Sequence, residues 1–596
     1  MIVQQGALNT TALVVPYLYV QIVPPQNLVL NGVPTNRTGV VGSASWGPVN
    51  QPTVVGTMAD YARQFGPVMN RTFDMGTHVA TAVQQGASDF RCVRVTDGTD
   101  TAAVAVMNYI APTAWQATTA YTVGVLKTNG GKIYRCATAG TSAGSGGPSG
   151  TTSGIVDGTC TWDYIATGAN TNSLAFVALY SGTVGNSIRV TVSAGSKANS
   201  WKIVIGIPGL PPEVFDNITG ATAPATYLAM MNAINNGNAI RGPSQLVMAT
   251  GGGGGNSLAA VAVGSTYNGT DNTTGSGTLT GMSGGTDGAS GVAASNLIGQ
   301  DTVPRKGMYQ LRGQGVTIGV LADLTDSTQW TTADAFGLAE GIYMIQCGPS
   351  GDTISNAVTA KATAGLDSYA SKLMFGDWLY WNDQTNAVLR LVSPQGFVAG
   401  RLANLSPEQS SLNKPLYGVV GSQKSGQPGS GAAQIYSAAE ITSLLQAGID
   451  VIANPQPGGN YWGVRGGHNS SSDPTRQGDN YTRMTNFIAA TLNAGMGRYV
   501  GQVINVDLYQ RIRGTLLSFL SNLLSQRVLG SRDGKLPFAV VCDASNNPDA
   551  RVGLGYVQAD VQVQYQAINE KFIVNVEGGQ TVQVTRQTVP SGQVGG

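Results

Sequence analysis

Charge is what this sequence has least of. Lys, Arg, Asp and Glu make up 11% of the 596 residues, well below the ~25% of an average soluble chain, and 33 basic against 32 acidic residues leave a formal charge of +1. A nucleic-acid reader needs a clustered excess of Lys and Arg, so no direct DNA partner is expected. Histidine occurs only at His78 and His468, which excludes His-rich metal sites and leaves little for acid–base chemistry. The five cysteines (Cys92, Cys136, Cys160, Cys347, Cys542) are odd in number and form no C-x-x-C. They suit neither a disulfide framework nor a zinc site and read as buried thiols. No run approaches the ~18 apolar residues of a membrane span. The opening "MIVQQGALNTTALVVPYLYV" has no charged segment ahead of an apolar core, so use in the cytoplasm, or in a particle assembled there, is expected.

Glycine, by contrast, is abundant at 81 residues, and apolar residues reach 42%. The length exceeds what one hydrophobic core serves, so several domains are expected. A neutral, Gly-rich and hydroxyl-rich composition suits β-rich, loop-rich domains with surfaces that pack closely in assemblies.

Residues 1–30 carry "LVVPYLYVQIVPP", where Pro16, Pro24 and Pro25 forbid a helix and an extended arm is expected. An α/β pattern occupies 31–105: strand "TGVVGSA", strand "TVVG", helices "MADYARQFG" and "GTHVATAVQQG", strand "FRCVRV". It breaks and resumes near 305, so some two hundred residues read as an insertion: a small β module (106–170) and a β-rich outer domain (171–300) containing the run "TGGGGGNS". The second part of the α/β domain spans 301–435, with helices expected near 331–346 and 355–373 and strands "WLYW" and "VLRLV". A C-terminal domain (436–580) and arm (581–596) follow. Its helix "LYQRIRGTLLSFLSNLLSQRVLG" carries one apolar stripe through Leu516, Leu517, Leu520, Leu523 and Leu524. The fold class is thus α+β to α/β multidomain, with β-rich outer insertions on α/β cores.

The search for chemistry returns little. "GTSAG" (Gly140–Gly144) fits G-x-S-x-G, but no helix can follow in "AGTSAGSGGPSGTTSG", so Ser142 reads as loop. His78 reads as structural within its helix, and His468 in "RGGHNSSSDPTR" as a solvated loop residue. "GGGGGNS" and "GSQKSGQPGSG" lack the spacing of a phosphate loop. The carboxylate pairs Asp323/Asp326 and Asp377/Asp383 read as surface or turn groups. No catalytic residue, metal or cofactor is assigned, and an enzyme is not expected.

The first insertion is more specific. Its pattern W-x5-Y-x2-G…G-x2-Y-x-C…DGT-x2-W-x-Y resembles small carbohydrate-binding-like β modules inserted in phage virion proteins. Trp115, Tyr121, Tyr134, Trp162 and Tyr164 then have two readings: a stacking platform for a surface glycan, or the aromatic core that so small a module needs. Cys136 and Cys160 fall within the module, where free thiols are expected.

The closing stretch "GYVQADVQVQYQAINEKFIVNVEGGQTVQV" alternates apolar residues at Val557, Ala559, Val561, Val563 and Tyr565, again at Phe572, Val574 and Val576, and again at Val582 and Val584. That is strand after strand with little chain left to pair with. Together with "TGVVGSASWGPVNQPTVVGTMADYARQFG", "LYSGTVGNSIRVTV", "SPQGFVAGRLAN", "LLQAGIDVIANPQPGGNYWGVRG", "YTRMTNFIAATL" and "PFAVVCDASNNP", in this order, it resembles the contractile tail sheath family of myophages and related injection machines. The resemblance implies a helical homo-oligomer in a virion tail, assembled in the host cytoplasm around a tail tube, with baseplate and tail terminator partners and no membrane insertion. It implies strand exchange between subunits through Leu18, Val20 and Ile22 of the arm and Phe572, Val574 and Val576 near the end. It also implies a tube-facing surface, for which Arg527, Arg532 and Lys535 are the candidates. The alternative is a glycan-binding virion decoration or adhesin, and phage tail and tail-derived bacteriocin are not separated.

Overall fold

The computed structural model describes residues 2–5, 19–22, 30–108, 113–123, 125–152, 154–167, 172–220, 223–250, 278–279, 282–430 and 434–581. A seven-stranded sheet organises them. Its strands run in the order Ile449–Asp450, Ser371–Met374, Tyr343–Cys347, Ile318–Leu321, Thr38–Gly42, Phe90–Arg94, Pro52–Val55. All are parallel except the edge strand Pro52–Val55. Most of the inner strands are buried at every position, as a parallel sheet covered on both faces must be. One face packs Val40, Phe90, Ile318 and Ile345 against helices Met75–Gln84 and Gln395–Ala403. The other packs Val41, Val93, Leu321 and Met344 against Phe336 of helix Trp330–Glu340.

The sheet takes a strand from each side of the expected 435/436 boundary. Leu444 of helix Ala438–Gln446 likewise shares a core with Trp330, Ala357 and Leu373. The insertion is nested: strand Ala102–Asn108 pairs with Asn172–Ser181, so the small module interrupts the outer domain instead of preceding it. The outer domain holds its own core around Phe176, Val190, Trp201, Ile203 and Phe215. The Gly-rich run at 251–277 lies outside the described residues.

Two expected helices are shorter than their sequence suggests. That near 331–346 ends at Glu340, with Gly341 in the left-handed region, and "YMIQC" is the strand Tyr343–Cys347. That near 355–373 is Ile354–Ala364, ended by left-handed Gly365, and "SKLM" is the strand Ser371–Met374. Short runs buried on both faces carry no period-two signal, so they merge with the neighbouring helix pattern. The short strand Gly463–Val464 pairs with Ile452–Ala453.

Asp323 and Asp377, read from sequence as surface or turn groups, are buried, as is Asp383; Asp326 caps a short turn. Asp323 sits where the sheet's winding order reverses, between Thr38–Gly42 and Ile318–Leu321, the place where an open α/β sheet offers a ligand crevice. Here the crest is filled by the chain. Asp323 lies 3.1 Å from His78 Nε2 and accepts from the Phe73 amide at 3.1 Å, while Gln395 Oε1 takes the Asp323 amide at 2.9 Å. His78 is structural, as read.

Gly396 and Gly400, in "GFVAG", let helix Gln395–Ala403 lie against helix Met75–Gln84. A Cβ on Gly400 would meet the backbone of Ala82, and one on Gly396 the backbone of His78. Overpacking so rigid a contact costs about 1–3 kcal/mol. Gly400→Ala is therefore expected to lower the unfolding free energy of the α/β domain by that amount, read in urea as a lower midpoint at unchanged slope; an unchanged midpoint would mean that the helices separate freely.

Candidate assembly interface

The last domain is built on the stripe of helix Val506–Ser525, whose Leu508, Ile512, Leu516, Phe519, Leu520 and Leu523 are buried. They pack with Phe487 and Ile488 of helix Asp479–Met496 and with the antiparallel pair Phe538–Val541 and Asp560–Val563. Alternation does the rest: Phe538 and Val540 point into this core, and Val557, Ala559, Val561, Val563 and Tyr565 pack against it. The pair is a two-stranded sheet. Each strand therefore keeps one edge without a ladder partner among the described residues.

Beyond this sheet the chain is held by side chains. Gln564 N donates to Pro537 O at 2.7 Å, Gln566 Nε2 to Arg527 O at 2.9 Å, and Asn480 Nδ2 to Gln566 O at 2.8 Å. Tyr565 meets Thr485 Oγ1 at 3.2 Å and stacks edge-on against Tyr481. The last hold is Glu570 Oε1, 2.9 Å from His468 Nε2. His468 is thus not the solvated loop residue its polar neighbours suggested. Burial alone would lower its pKa, but the Glu570 carboxylate and Asp450 raise it above the usual imidazole value; the same hydrogen bond holds Glu570 below the usual carboxylate range.

After Glu570 the tail is largely exposed. Phe572 is 82% exposed, Val574 63% and Val576 85%, and none joins a strand ladder among the described residues. Arm residues Val20 and Ile22 lie in a strand, Tyr19–Ile22, paired in parallel with Ile2–Gln5, while Leu18, Val582 and Val584 fall outside the described residues. Arg527 follows helix Val506–Ser525 in the left-handed conformation, and Arg532 and Lys535 occupy the exposed loop before Phe538, Lys535 within 3.9 Å of Asp533.

Beneath the anchored segment lies a buried ion cluster that sequence reading missed. Lys372 Nζ, fully buried, donates to Asp450 Oδ2 at 2.7 Å, Asp479 Oδ1 at 3.0 Å and His468 O at 2.8 Å. Asp479 opens its helix, where the helix dipole favours a carboxylate, and also accepts from Tyr343 Oη at 2.6 Å and from Ser411. Asp450 accepts the amides of Gly466 and His468. Burial would raise the Asp479 pKa, but Lys372, Ser411 and Tyr343 bring it down to about 2. Burial would lower that of Lys372, but the two carboxylates raise it. The only sequence signal was a lone Lys in the apolar run "YASKLMFGD".

The module's aromatics do come together, as core. Tyr121, Tyr134 and Trp162 are buried, and Trp115 and Tyr164, partly buried, pack against them; Tyr121 meets Trp162 and Tyr134 meets Tyr164 in edge-on ring contacts. Asp157 of "DGTCTW" is the pivot: its Oδ2 accepts Trp115 Nε1 at 2.7 Å and Trp162 Nε1 at 2.9 Å, and its Oδ1 the Ala143 amide at 3.0 Å. Cys136 and Cys160 are free buried thiols, as are the other three cysteines. Ser142 is buried and bonded to Gln116 and Thr119.

No protein-family model and no curated protein matches this sequence. Solved structures do. The sheath tail protein of Listeria innocua superposes with a TM-score of 0.51 at 12% identity, over 87% of this chain and 90% of that one. The sheath tail protein of Desulfitobacterium hafniense gives 0.48 at 14% identity (88% and 93%), and the helical sheath of the anti-feeding prophage in its contracted state 0.47 at 10% (95% and 99%). The chain has the fold of a sheath tail protein.

Removing one partner of a buried ion pair costs about 3–5 kcal/mol. Asp479→Ala is expected to destabilise the junction of sheet and C-terminal domain by that much in urea unfolding. In the parent chain Asp479, its pKa depressed in the fold, contributes above the ordinary aspartate range, and the contribution is lost as pH falls through about 2; a stability loss already present at pH 5 would contradict this assignment. Asp157→Ala, which strands two indole N–H groups at roughly 1–3 kcal/mol each, should open the small module to thermolysin while the rest of the chain stays resistant. Cleavage unchanged from the parent would remove Asp157 as pivot.

Proposed function

We propose that this chain is the structural subunit of a contractile tail sheath, polymerising helically around a tail tube and contracting to drive the tube through a host envelope for DNA delivery. The observation that carries it is the exposed apolar run Phe572–Val576, leaving a sheath-like fold beside a two-stranded sheet whose outer edges have no ladder partner among the described residues. An exposed edge and an unpaired strand of the same chain satisfy each other only between copies, by β-augmentation. Head-to-tail donation that does not close on itself generates a helical polymer.

In this reading Phe572, Val574 and Val576 supply the donated strand at one end, and Leu18, Val20 and Ile22 of the arm supply the other. Contraction is a re-packing of rigid bodies between two lattices, the second lower in free energy, and it draws on no bound nucleotide or cofactor. Arg527, Arg532 and Lys535 are the proposed tube contacts, their charge suited to an acidic tube surface. Baseplate and terminator proteins would cap the cylinder, assembled in the host cytoplasm and carried in the virion tail. The small module is a surface decoration.

Electron microscopy of the full chain beside one truncated after Asn569 tests this. Striated hollow cylinders from the full chain alone are expected. Identical cylinders from the truncated chain would overturn strand donation, and failure of both to assemble in the presence of the tube protein would overturn the sheath reading.

A further inference from the structure

The tail leaves its own subunit at a single ion pair. Upstream of Glu570 the segment is fixed by neutral contacts: the Gln566 side chain on the carbonyls of Arg527 and Val528, Asn480 on Gln566 O, Tyr565 beside Thr485 and Tyr481. Downstream, among the described residues, no strand ladder or ion pair holds it. Between the two stands His468–Glu570 at 2.9 Å, joining residues 102 positions apart. The imidazole is 14% exposed and the carboxylate 34%, so solvent protons reach the pair. The His468 loop is itself rigid, because its amide is donated to Asp450 Oδ2 at 3.2 Å and its carbonyl receives Lys372 Nζ at 2.8 Å.

We propose that His468–Glu570 is a protonation-controlled pin that sets where the tail leaves its subunit: closed, departure is at Lys571, and open, it slips back toward Gln566. This rests on the sheath reading in so far as the released segment is the one passed to a neighbour. Four further charges face the pair. Asp450 favours the protonated imidazole and Lys372 opposes it from the buried cluster, Asp479 neutralises Lys372, and Lys571 lies beside Glu570 on the tail. The imidazolium, favoured in the closed pin, adds stability that is complete below the ordinary imidazole range and lost as pH rises through the raised value. The carboxylate adds stability present above the ordinary glutamate range and lost as pH falls through the lowered one. The pin is therefore closed in mild acid and opens on the alkaline side. An opened pin lengthens the free tail by about four residues, or roughly 13 Å of extended chain.

Because the sequence has two histidines, the pin can be read directly. Carbon-13-labelled histidine in the full chain gives two ring signals by NMR, assigned with His468→Asn. The His468 signal is expected to titrate above the ordinary ~6.5, and Glu570→Gln should move that midpoint down while leaving the buried His78 signal, the reporter of an intact fold, in place. A His468 midpoint at or below 6.5 that ignores Glu570→Gln would overturn the pin. So would an altered His78 signal in Glu570→Gln, because the pair would then be holding the core and not the tail. Neither readout needs assembly, so failure of the sheath reading, seen as an absence of cylinders, is separate. Where cylinders form, their assembly is expected to change on the alkaline side of the ordinary imidazole range and Glu570→Gln to abolish that dependence; a parent chain with none would also refute the proposal.

Discussion

The structure turns on one buried ammonium. Lys372 stands fully buried in the next-to-edge strand of the central sheet, and Asp450 and Asp479 neutralise it from the neighbouring strand and from the first turn of helix Asp479–Met496. A buried charge is tolerable only when it is paired and its remaining hydrogen-bond capacity is filled. Both conditions are met, the second by His468 O, Tyr343 and Ser411. The consequence is directional. Apolar surfaces can slide, but three charges satisfied in one geometry cannot, so sheet and C-terminal domain behave as one body.

The outer domain is fastened on the same principle with different atoms. Arg94 is fully buried and spreads its guanidinium over the carbonyls of Gly47, Ser181 and Asp287, tying the core to both ends of the insertion. The small module is nested deeper and keeps its own pivot in Asp157. Decoration can therefore vary in size without disturbing the sheet, since each level closes its own core. Among the described residues the run Phe572–Val576 stays exposed and outside every strand ladder.

Elements with local signals were legible in the sequence. Thr57 and Asp60, and Ser437 and Glu440, form capping boxes at the starts of helices read from pattern. Of the leucine stripe of Val506–Ser525, Leu516, Leu520 and Leu523 are buried and Leu517 and Leu524 partly so. The alternation after Val557 marked the sheet at Asp560–Val563 and the unpaired run beyond it. What escaped has no local signature. Strands Tyr343–Cys347 and Ser371–Met374 are buried on both faces and so lack a period. Lys372, Asp450 and Asp479 meet only through the sheet's strand order, and His468 with Glu570 only through the path of the tail. The module's aromatics were noticed, yet whether a ring faces solvent or core is decided by Asp157 collecting two indoles, which spacing cannot express.

The central claim is that the segment after Glu570 is a strand belonging to a neighbour. An electron cryo-microscopy reconstruction of the assembled cylinder, at a resolution that traces main chain, tests it most directly. The account predicts the backbone of Phe572–Val576 from one subunit hydrogen-bonded to an open edge of the Phe538–Val541 and Asp560–Val563 sheet of another. Density that instead carries this segment back along its own subunit, with both edges of that sheet unpaired, would contradict it.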